Sequence, residues 1–456
     1  MKRHLVVGKF GNGDRASITK NSDEALTRLN FITIRKQLNY GIGNALVDLV
    51  KMGIFPSEIG IDLLIFAAHV QAADTHISRE LESQDSWTRE IRLVVPVSNL
   101  EKWNAALPVL KRALDFLTGD IWTISFRLRP AKFTRLVPVG SQKLMGIPFD
   151  ALALFSGGLD SLVGAVDLLE NGKNPLLISH VGDGATSDAQ QNCFNKLKAY
   201  YSKNKFDRMR VWMNFRGLKI SGNEVEKSTR GRSFLFFTLG VLAGTGFNSP
   251  FILQVSENGL IALNIPLDQL RLGSHSTHTT HPFYIARWNE ILNILGINGK
   301  IENPYWNKTK GEMIEACANR DLLQQIAPVS LSCSSPTKGR WFGQGVQHCG
   351  YCLPCIIRRA AMEKGFGKNA DTTKYTIRDL YTRALKTFKA EGQQIRSFEL
   401  AIQKIKENPK LAQFIIHNSG SLSDESPLRQ RDLANLYVRG MNEVDRILAG
   451  VTTVSR

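Results

Sequence analysis

The sequence predicts an α/β protein built on a doubly wound parallel sheet. An α+β N-terminal domain precedes the sheet, and a helical C-terminal region follows it. Three observations carry this reading. Short apolar runs alternate with helix-like stretches between residues 149 and 365. The first of these runs leads directly into Ser-Gly-Gly and then a helix. Four of the six cysteines cluster near the end of the same block.

Residues 1–148 form the first block. Ile61, Leu64, Ile65, Ala68 and Ala72 recur at helical spacing. Ile91, Leu93, Val95 and Val97 alternate with Arg92, Pro96 and Ser98, which is strand period. Pro96 marks that strand as an edge or a short one. Trp122, Ile124, Phe126 and Leu128 alternate again. The block carries no legible catalytic motif and reads as an accessory or docking domain.

In residues 149–365 the strand candidates are Ala151–Phe155, Leu176–His180, Arg210–Asn214 and Phe251–Val255. Helices are predicted near Ser161–Glu170, Asp188–Asn204 and Ser233–Ala243. A sheet of this kind binds ligands at the carboxyl ends of its strands. Residues 366–456 read as helices. Ile377, Leu380, Tyr381, Ala384 and Phe388 mark one helical face, and Asn418–Pro427 is a loop by composition.

Composition narrows the function. Hydrophobic residues make up 43% and charged residues 22%, which excludes a disordered, collagen-like or disulfide-stapled chain. The net charge of +17 points to anionic partners: nucleotides, nucleic acid or an acidic protein. The longest near-apolar run, Phe234–Phe247, is too short to cross a bilayer. The start, Met1–Val7, is basic but too poor in apolar residues for a signal peptide. A cytoplasmic protein without a membrane partner is expected.

The strongest local signal is Leu152-Ala-Leu-Phe-Ser156-Gly157-Gly158-Leu159-Asp160-Ser161. Two glycines let the backbone turn tightly and approach a ligand closely. The helix start then offers free N–H groups and a positive dipole end, an anion cradle. Ser156 and Ser161 add hydroxyls, and Asp160 beside a phosphate suggests a Mg²⁺ ligand. No lysine follows the glycines, so this is not the loop of ordinary kinases and GTPases.

Cys333, Cys349, Cys352 and Cys355 have the spacing C-x15-C-x2-C-x2-C. Four thiolates satisfy a tetrahedral Zn²⁺ with no open position, which makes the site structural. A redox pair at Cys349 and Cys352 and unrelated free thiols are the alternatives. Cys193 and Cys317 stand alone and read as buried small hydrophobes.

The SGGLDS segment resembles the pyrophosphate-binding loop of the N-type ATP pyrophosphatases. These enzymes adenylate a substrate oxygen and release pyrophosphate. Combined with the late cysteine set, it is similar to the 7-cyano-7-deazaguanine synthase (QueC) family across residues 149–365. Gly231-Arg232-Ser233 and Asn307-Lys308-Thr309-Lys310-Gly311-Glu312 resemble two further segments of that family. The resemblance implies a PP-loop fold of the adenine nucleotide alpha-hydrolase type. It implies ATP and Mg²⁺ at Ser156, Gly157, Gly158, Leu159, Asp160 and Ser161, with His180 at the adenine, and a structural Zn²⁺. Asp160, Lys310 and Arg232 become the catalytic candidates. From the residues alone, Lys310 and Arg232 read equally as solvated helix-start residues, and His180 as a structural histidine.

The chain departs from the small synthase in its added N- and C-terminal blocks and in its substrate segment. There it carries Ser256-Glu257-Asn258-Gly259 and, later, His275, His278 and His281 at intervals of three. Asn258, Glu257 and His278 are the substrate-binding candidates. The histidine run fits a metal site, an anion site or a hydrogen-bonded loop. The longer layout looks like the QueC-like proteins of anti-phage defence operons, such as the Qat system. That likeness implies a carboxylated 7-deazapurine-like substrate and a QatB-like protein partner. The acyl group would then pass to ammonia or to a protein amine, giving an amide or nitrile. A tRNA-modifying pyrophosphatase and a non-catalytic nucleotide-binding module are the rivals, and nucleic acid is the less favoured partner.

Overall fold

The computed structural model describes residues 3–33, 37–83, 85–137, 147–215, 217–218, 220, 226, 228–267 and 278–455. The protein is α/β and, among the described residues, carries two large parallel sheets and one two-stranded parallel pair. The first block contains β1 (Arg3–Lys9), β2 (Glu24–Asn30), α1 (Ile42–Lys51), α2 (Glu58–His76) and α3 (Arg79–Glu82). It continues with β3 (Glu90–Val97), α4 (Leu100–Thr118) and β4 (Ile121–Leu128). Its sheet has the order β2-β1-β3-β4, and every pair is parallel.

Two expectations for this block are corrected. It is α/β in arrangement, not α+β, because helices carry the chain from β2 to β3 and from β3 to β4. Strand β3 is eight residues long and central, not an edge. Pro96 is tolerated there because the pairing with β1 ends at Val94. Beyond that point β3 pairs only with β4, although Gly8 of β1 still lies against the Pro96 ring, so Pro96 removes no bond toward β1.

The second block contains β5 (Ala151–Leu154), α5 (Leu159–Glu170), β6 (Pro175–His180), α6 (Gly184–Tyr200) and β7 (Asp207–Val211). It continues with α7 (Arg232–Gly244), β8 (Phe251–Gln254), α8 (Gly259–Leu263), α9 (Pro282–Leu295) and β9 (Gly299–Glu302). Helices α10 (Lys310–Glu315), α11 (Arg320–Ile326) and α12 (Leu353–Phe366) complete it. The sheet order is β7-β6-β5-β8-β9, all parallel. Succession runs outward one way from β5 to β7 and the other way from β8 to β9. The point where the direction changes lies between β5 and β8, and in open sheets of this kind that crevice holds ligands.

Helix α2 joins the two sheets. Every side chain from Gly60 to Asp74 is buried, so the helix has no solvent face. It packs against α7 on one side and β3 on the other. One apolar core therefore runs through both blocks, with Phe66 edge-on to Trp103 and to Phe234. The expected boundary near 148 directly follows residues 138–146, which lie outside the described ones.

The C-terminal block holds β10 (Leu385–Lys386), α13 (Ala390–Glu407), α14 (Ala412–Ile415), α15 (Pro427–Leu448) and β11 (Thr453–Val454). The helix expected from Ile377 to Phe388 is absent. Those residues form turns and β10, which pairs with β11. Of the periodic residues, Leu380 is buried while Tyr381 and Phe388 are exposed, so they share no buried face that would call for a helix. Residues 418–426 form the expected loop, and Pro427 opens α15. No helix among the described residues is long and apolar enough to cross a membrane.

Candidate functional site

Strand β5 ends at Leu154, and the chain turns through Ser156 and Gly157 into α5. Gly157 has φ +78°, and a Cβ there would lie 2.7 Å from the Gln190 backbone nitrogen. Only glycine fits both demands. Gly158 is the N-cap of α5 and supplies no side-chain cap. Ser156 Oγ instead accepts from Gly158 N at 3.3 Å, and Ser332 Oγ accepts from Leu159 N at 3.2 Å. Ser161 Oγ lies 3.2 Å from Ser156 Oγ and donates to Gly158 O at 2.9 Å. Hydroxyls thus occupy two N–H groups at the helix start, at positions that an anion could take in their place.

Asp160 in the first turn of α5 gathers the next residues. Its Oδ1 lies 3.1 Å from Lys310 Nζ, and its Oδ2 accepts from Asn258 Nδ2 at 2.7 Å and Asn258 N at 3.2 Å. Asn258 follows β8, is fully buried and caps α8 by accepting from Ile261 N. Lys310 opens α10 and is 5% exposed. Glu257 lies beside this group. Thr280 Oγ1 donates to its carboxylate, and Asn303 Nδ2 donates to its backbone oxygen at 2.7 Å. Burial pushes the Glu257 carboxyl up to about 7. The Thr280 hydrogen bond opposes that rise, the Asp160 charge adds to it, and Lys310 opposes it.

Arg232 and His180 form a second group at the carboxyl end of β6. A Cβ on Gly182 would lie 2.7 Å from Arg232 Nη2, so the guanidinium lies directly over that turn. Burial lowers the Arg232 pKa, and Asp183 works against the shift. Burial and the Arg232 charge push His180 down to about 3, so its ring is neutral. His180 Nδ1 is buried without a hydrogen-bond partner among the described residues. No hydrogen bond or ion pair among the described residues joins this group to Asp160 and Lys310.

The first block holds the start of α7. Asp74 Oδ2 accepts from Gly231 N at 2.7 Å. Asp74 also pairs with Arg89 at 3.0 Å, and Arg89 and Arg79 each reach Asp120 at 2.6 Å. Arg230 stacks on Trp87 at 3.6 Å and donates to Thr118 O at 3.1 Å. These charges are all but fully buried, and the Asp74 and Asp120 carboxylates compensate Arg79 and Arg89.

Of the three histidines, His275 lies outside the described residues. His281 is the N-cap of α9, accepting from Phe283 N at 3.2 Å. His278 packs on Phe116 with ring centroids 4.7 Å apart, and burial pushes it down to about 4. Its loop leads into Thr280, the partner of Glu257.

The four cysteines converge as expected. Their sulfurs all lie within 4.8 Å of one another, with Cys333–Cys352 and Cys349–Cys355 at 3.9 Å. Tetrahedral thiolates around Zn²⁺ stand about 3.8 Å apart for Zn–S bonds of about 2.3 Å, so the set fits the ion. Backbone N–H groups of Ser335, Cys349 and Cys352 point at the sulfurs of Cys333, Cys333 and Cys349. Such bonds favour thiolates. The cluster also supports the phosphate-loop candidate. Ser332, next to Cys333, donates its N–H to His348 Nε2 at 3.1 Å, and Leu331 N donates to Gly157 O at 2.9 Å. Cys193 and Cys317 are buried, and burial pushes both thiols up to about 12.

Sequence reasoning missed Ser332, Thr280, Asn303, Asp74 and Arg230. Ser332, Asn303 and Asp74 reach the site across a long stretch of chain and stand in no motif, while Thr280 and Arg230 sit beside residues that the sequence does single out. Compared with family models and with curated proteins, the chain matches none of them.

Proposed function

We propose that this chain is a QueC-like PP-loop enzyme. In this reading it adenylates a carboxylated 7-deazaguanine-type substrate with Mg-ATP and passes the acyl group to an amine. The observation that carries the reading is the pairing of Asp160 with Lys310 and Asn258 in the first turn after the Ser-Gly-Gly turn.

The substrate carboxylate attacks the α-phosphorus of Mg-ATP, and pyrophosphate leaves. Ser156, Ser161 and the start of α5 receive the departing phosphates, with Asp160 facing the Mg²⁺ that ATP brings. Lys310 and Arg232 offset charge that builds on the phosphates. An amine then displaces AMP and forms an amide. Asn258, bonded to Asp160, and Glu257, which feels the Asp160 charge, would meet the heterocycle, with His278 on the loop that leads to Thr280. The four-cysteine set would hold a Zn²⁺ that ties the Leu331–Cys333 segment to α12 and so steadies the loop from below.

The test is to incubate the purified chain with Mg-ATP, with and without 7-carboxy-7-deazaguanine and an amine, and to identify the nucleotide product. AMP and pyrophosphate that depend on the heterocycle support the reading. ADP refutes it, and absence of turnover favours a nucleotide-binding module. The net charge of +17 favours the tRNA-modifying rival. The thiols of Cys193 and Cys317, pushed up to about 12, are poor nucleophiles for the sulfur-transfer members of that class.

A further inference from the structure

Helix α15 reaches the candidate site from the C-terminal block. Its Glu443 and Arg439 grip the first turn of α10, which begins with Lys310. Thr309 is the N-cap of α10. Its Oγ1 accepts from Glu312 N at 3.1 Å and donates to Glu443 Oε1. Glu312 Oε2 in turn accepts from Thr309 N at 2.9 Å, closing a capping box. Arg439 secures that box. Its Nε donates to Glu312 Oε1 at 2.7 Å, and its Nη2 donates to Asn307 O at 3.0 Å. Gly311 allows the close approach, since a Cβ there would meet Glu443 Oε2 at 2.9 Å and Lys364 Cγ at 2.6 Å.

This arrangement costs something that packing alone does not require. Glu443 is 7% exposed, and burying a carboxyl is unfavourable. Leu436, Tyr437, Met441 and Val444 already supply the apolar face of α15. Helix α10 has only six residues, too few to hold a helical turn unaided. What Glu443 and Arg439 add is a fixed starting point for that short helix.

We propose that Glu443 and Arg439 are positioning residues: by fixing the first turn of α10 they hold Lys310 Nζ at its 3.1 Å separation from Asp160 Oδ1. The inference rests on the reading of Lys310 as the cation that faces the ATP phosphates, and it makes the C-terminal block part of the reacting centre.

The experiment uses the full chain and its Glu443→Ala, Glu443→Gln, Arg439→Ala and Arg439→Lys variants. Lysines are labelled competitively with acetic anhydride, and labelling of Lys310 is read by mass spectrometry against Lys198, which donates to Phe206 O in the second block. Lys310 is buried and paired, so it labels slowly in the parent. Released from its fixed turn, it labels about tenfold faster in the two alanine variants, while Lys198 does not change. Glu443→Gln keeps an acceptor for Thr309 and stays within about twofold of the parent. With ATP turnover as a second readout, kcat falls about tenfold in the alanine variants and recovers in Glu443→Gln.

Unchanged Lys310 labelling in folded alanine variants overturns the proposal. If those variants do not fold, Arg439→Lys decides. Loss of the planar fork raises Lys310 labelling severalfold, and parental labelling overturns the proposal. Altered labelling in a chain whose parent makes no AMP refutes the adenylation reading and leaves the positioning role standing.

Discussion

Lys310 Nζ stands 3.1 Å from Asp160 Oδ1, while Asn258 Nδ2 stands 2.7 Å from the other oxygen of the same carboxylate. The three residues stand in the first turn or at the cap of three different helices: α10, α5 and α8. Asp160 is thus held from both sides by donors that two other helices position. Groups fixed in this way can stabilise developing charge without reorganising.

Asp160→Asn keeps the shape of the side chain and removes its charge, leaving the buried Lys310 ammonium opposite an amide. Lys310→Ala removes the cation. Both variants are expected to lower AMP formation by about 10²-fold or more, with zinc content unchanged. Product chromatography and metal analysis of the same samples check this. Parental activity in both variants would remove these residues from the mechanism.

Cys352→Ser takes one of four sulfurs from a closed set. The expected result is a fall from about one zinc per chain toward none, with a lower melting temperature. Chelation of the parent should mimic the variant. Because Leu331 and Ser332 bond to the Gly157–Leu159 turn, nucleotide affinity should fall together with zinc content. A metal-free variant with parental stability would contradict a structural ion.

Asp120 accepts from both Arg79 and Arg89 in a region closed to water. Asp120→Ala leaves two buried guanidinium groups short of a counter-charge. A loss of about 3–5 kcal/mol is expected in urea unfolding. A change below about 1 kcal/mol would mean that water reaches the network.

Burial also raises the Glu443 carboxyl, from its ordinary 4.5 to about 7. A raised acid binds more protons in the folded state than in the unfolded state across that interval. Its contribution to stability is therefore complete below pH 4.5 and is lost as pH rises through about 7. The loss is on the order of 3 kcal/mol, at about 1.4 kcal/mol per pKa unit. Buried histidines such as His180 and His348, pushed down to about 3, act in the opposite sense below pH 6.5. The difference between the parent and Glu443→Gln isolates the carboxyl. Relative to the parent, the variant should gain stability steadily from pH 5 to pH 8, as read by urea midpoints. A constant difference would place the Glu443 titration outside that interval.

Local signals in the sequence led to the β5–α5 turn and the cysteine set, because each is written within a few residues or in a fixed spacing. Although Arg210–Asn214 fell three residues late against β7 and α8–α12 were not foreseen, the second block's first four strands and its helices α5–α7 were legible for the same reason. Strand β9 was not, since Gly299-Lys-Ile-Glu302 offers one buried apolar residue and becomes a strand by pairing with β8. The Ile377–Phe388 pattern misled because apolar residues at helical spacing do not by themselves make a buried face, and Tyr381 and Phe388 stay exposed. Glu443 and Asp74 sit on helices whose pattern says nothing of a partner some 130 or 160 residues away. Their roles depend on the assembled fold.

The burial of α2 on every side bears on how the chain is made. During synthesis, α2 leaves the ribosome well before Arg232, which begins the helix that covers one of its faces. At roughly 5–20 residues per second, that face waits on the order of ten to thirty seconds for its cover. The nascent chain therefore passes through a stage in which an apolar helix is made but unsheltered. A folding helper would bind it in that interval, and truncation at the end of the first block would make the exposure permanent.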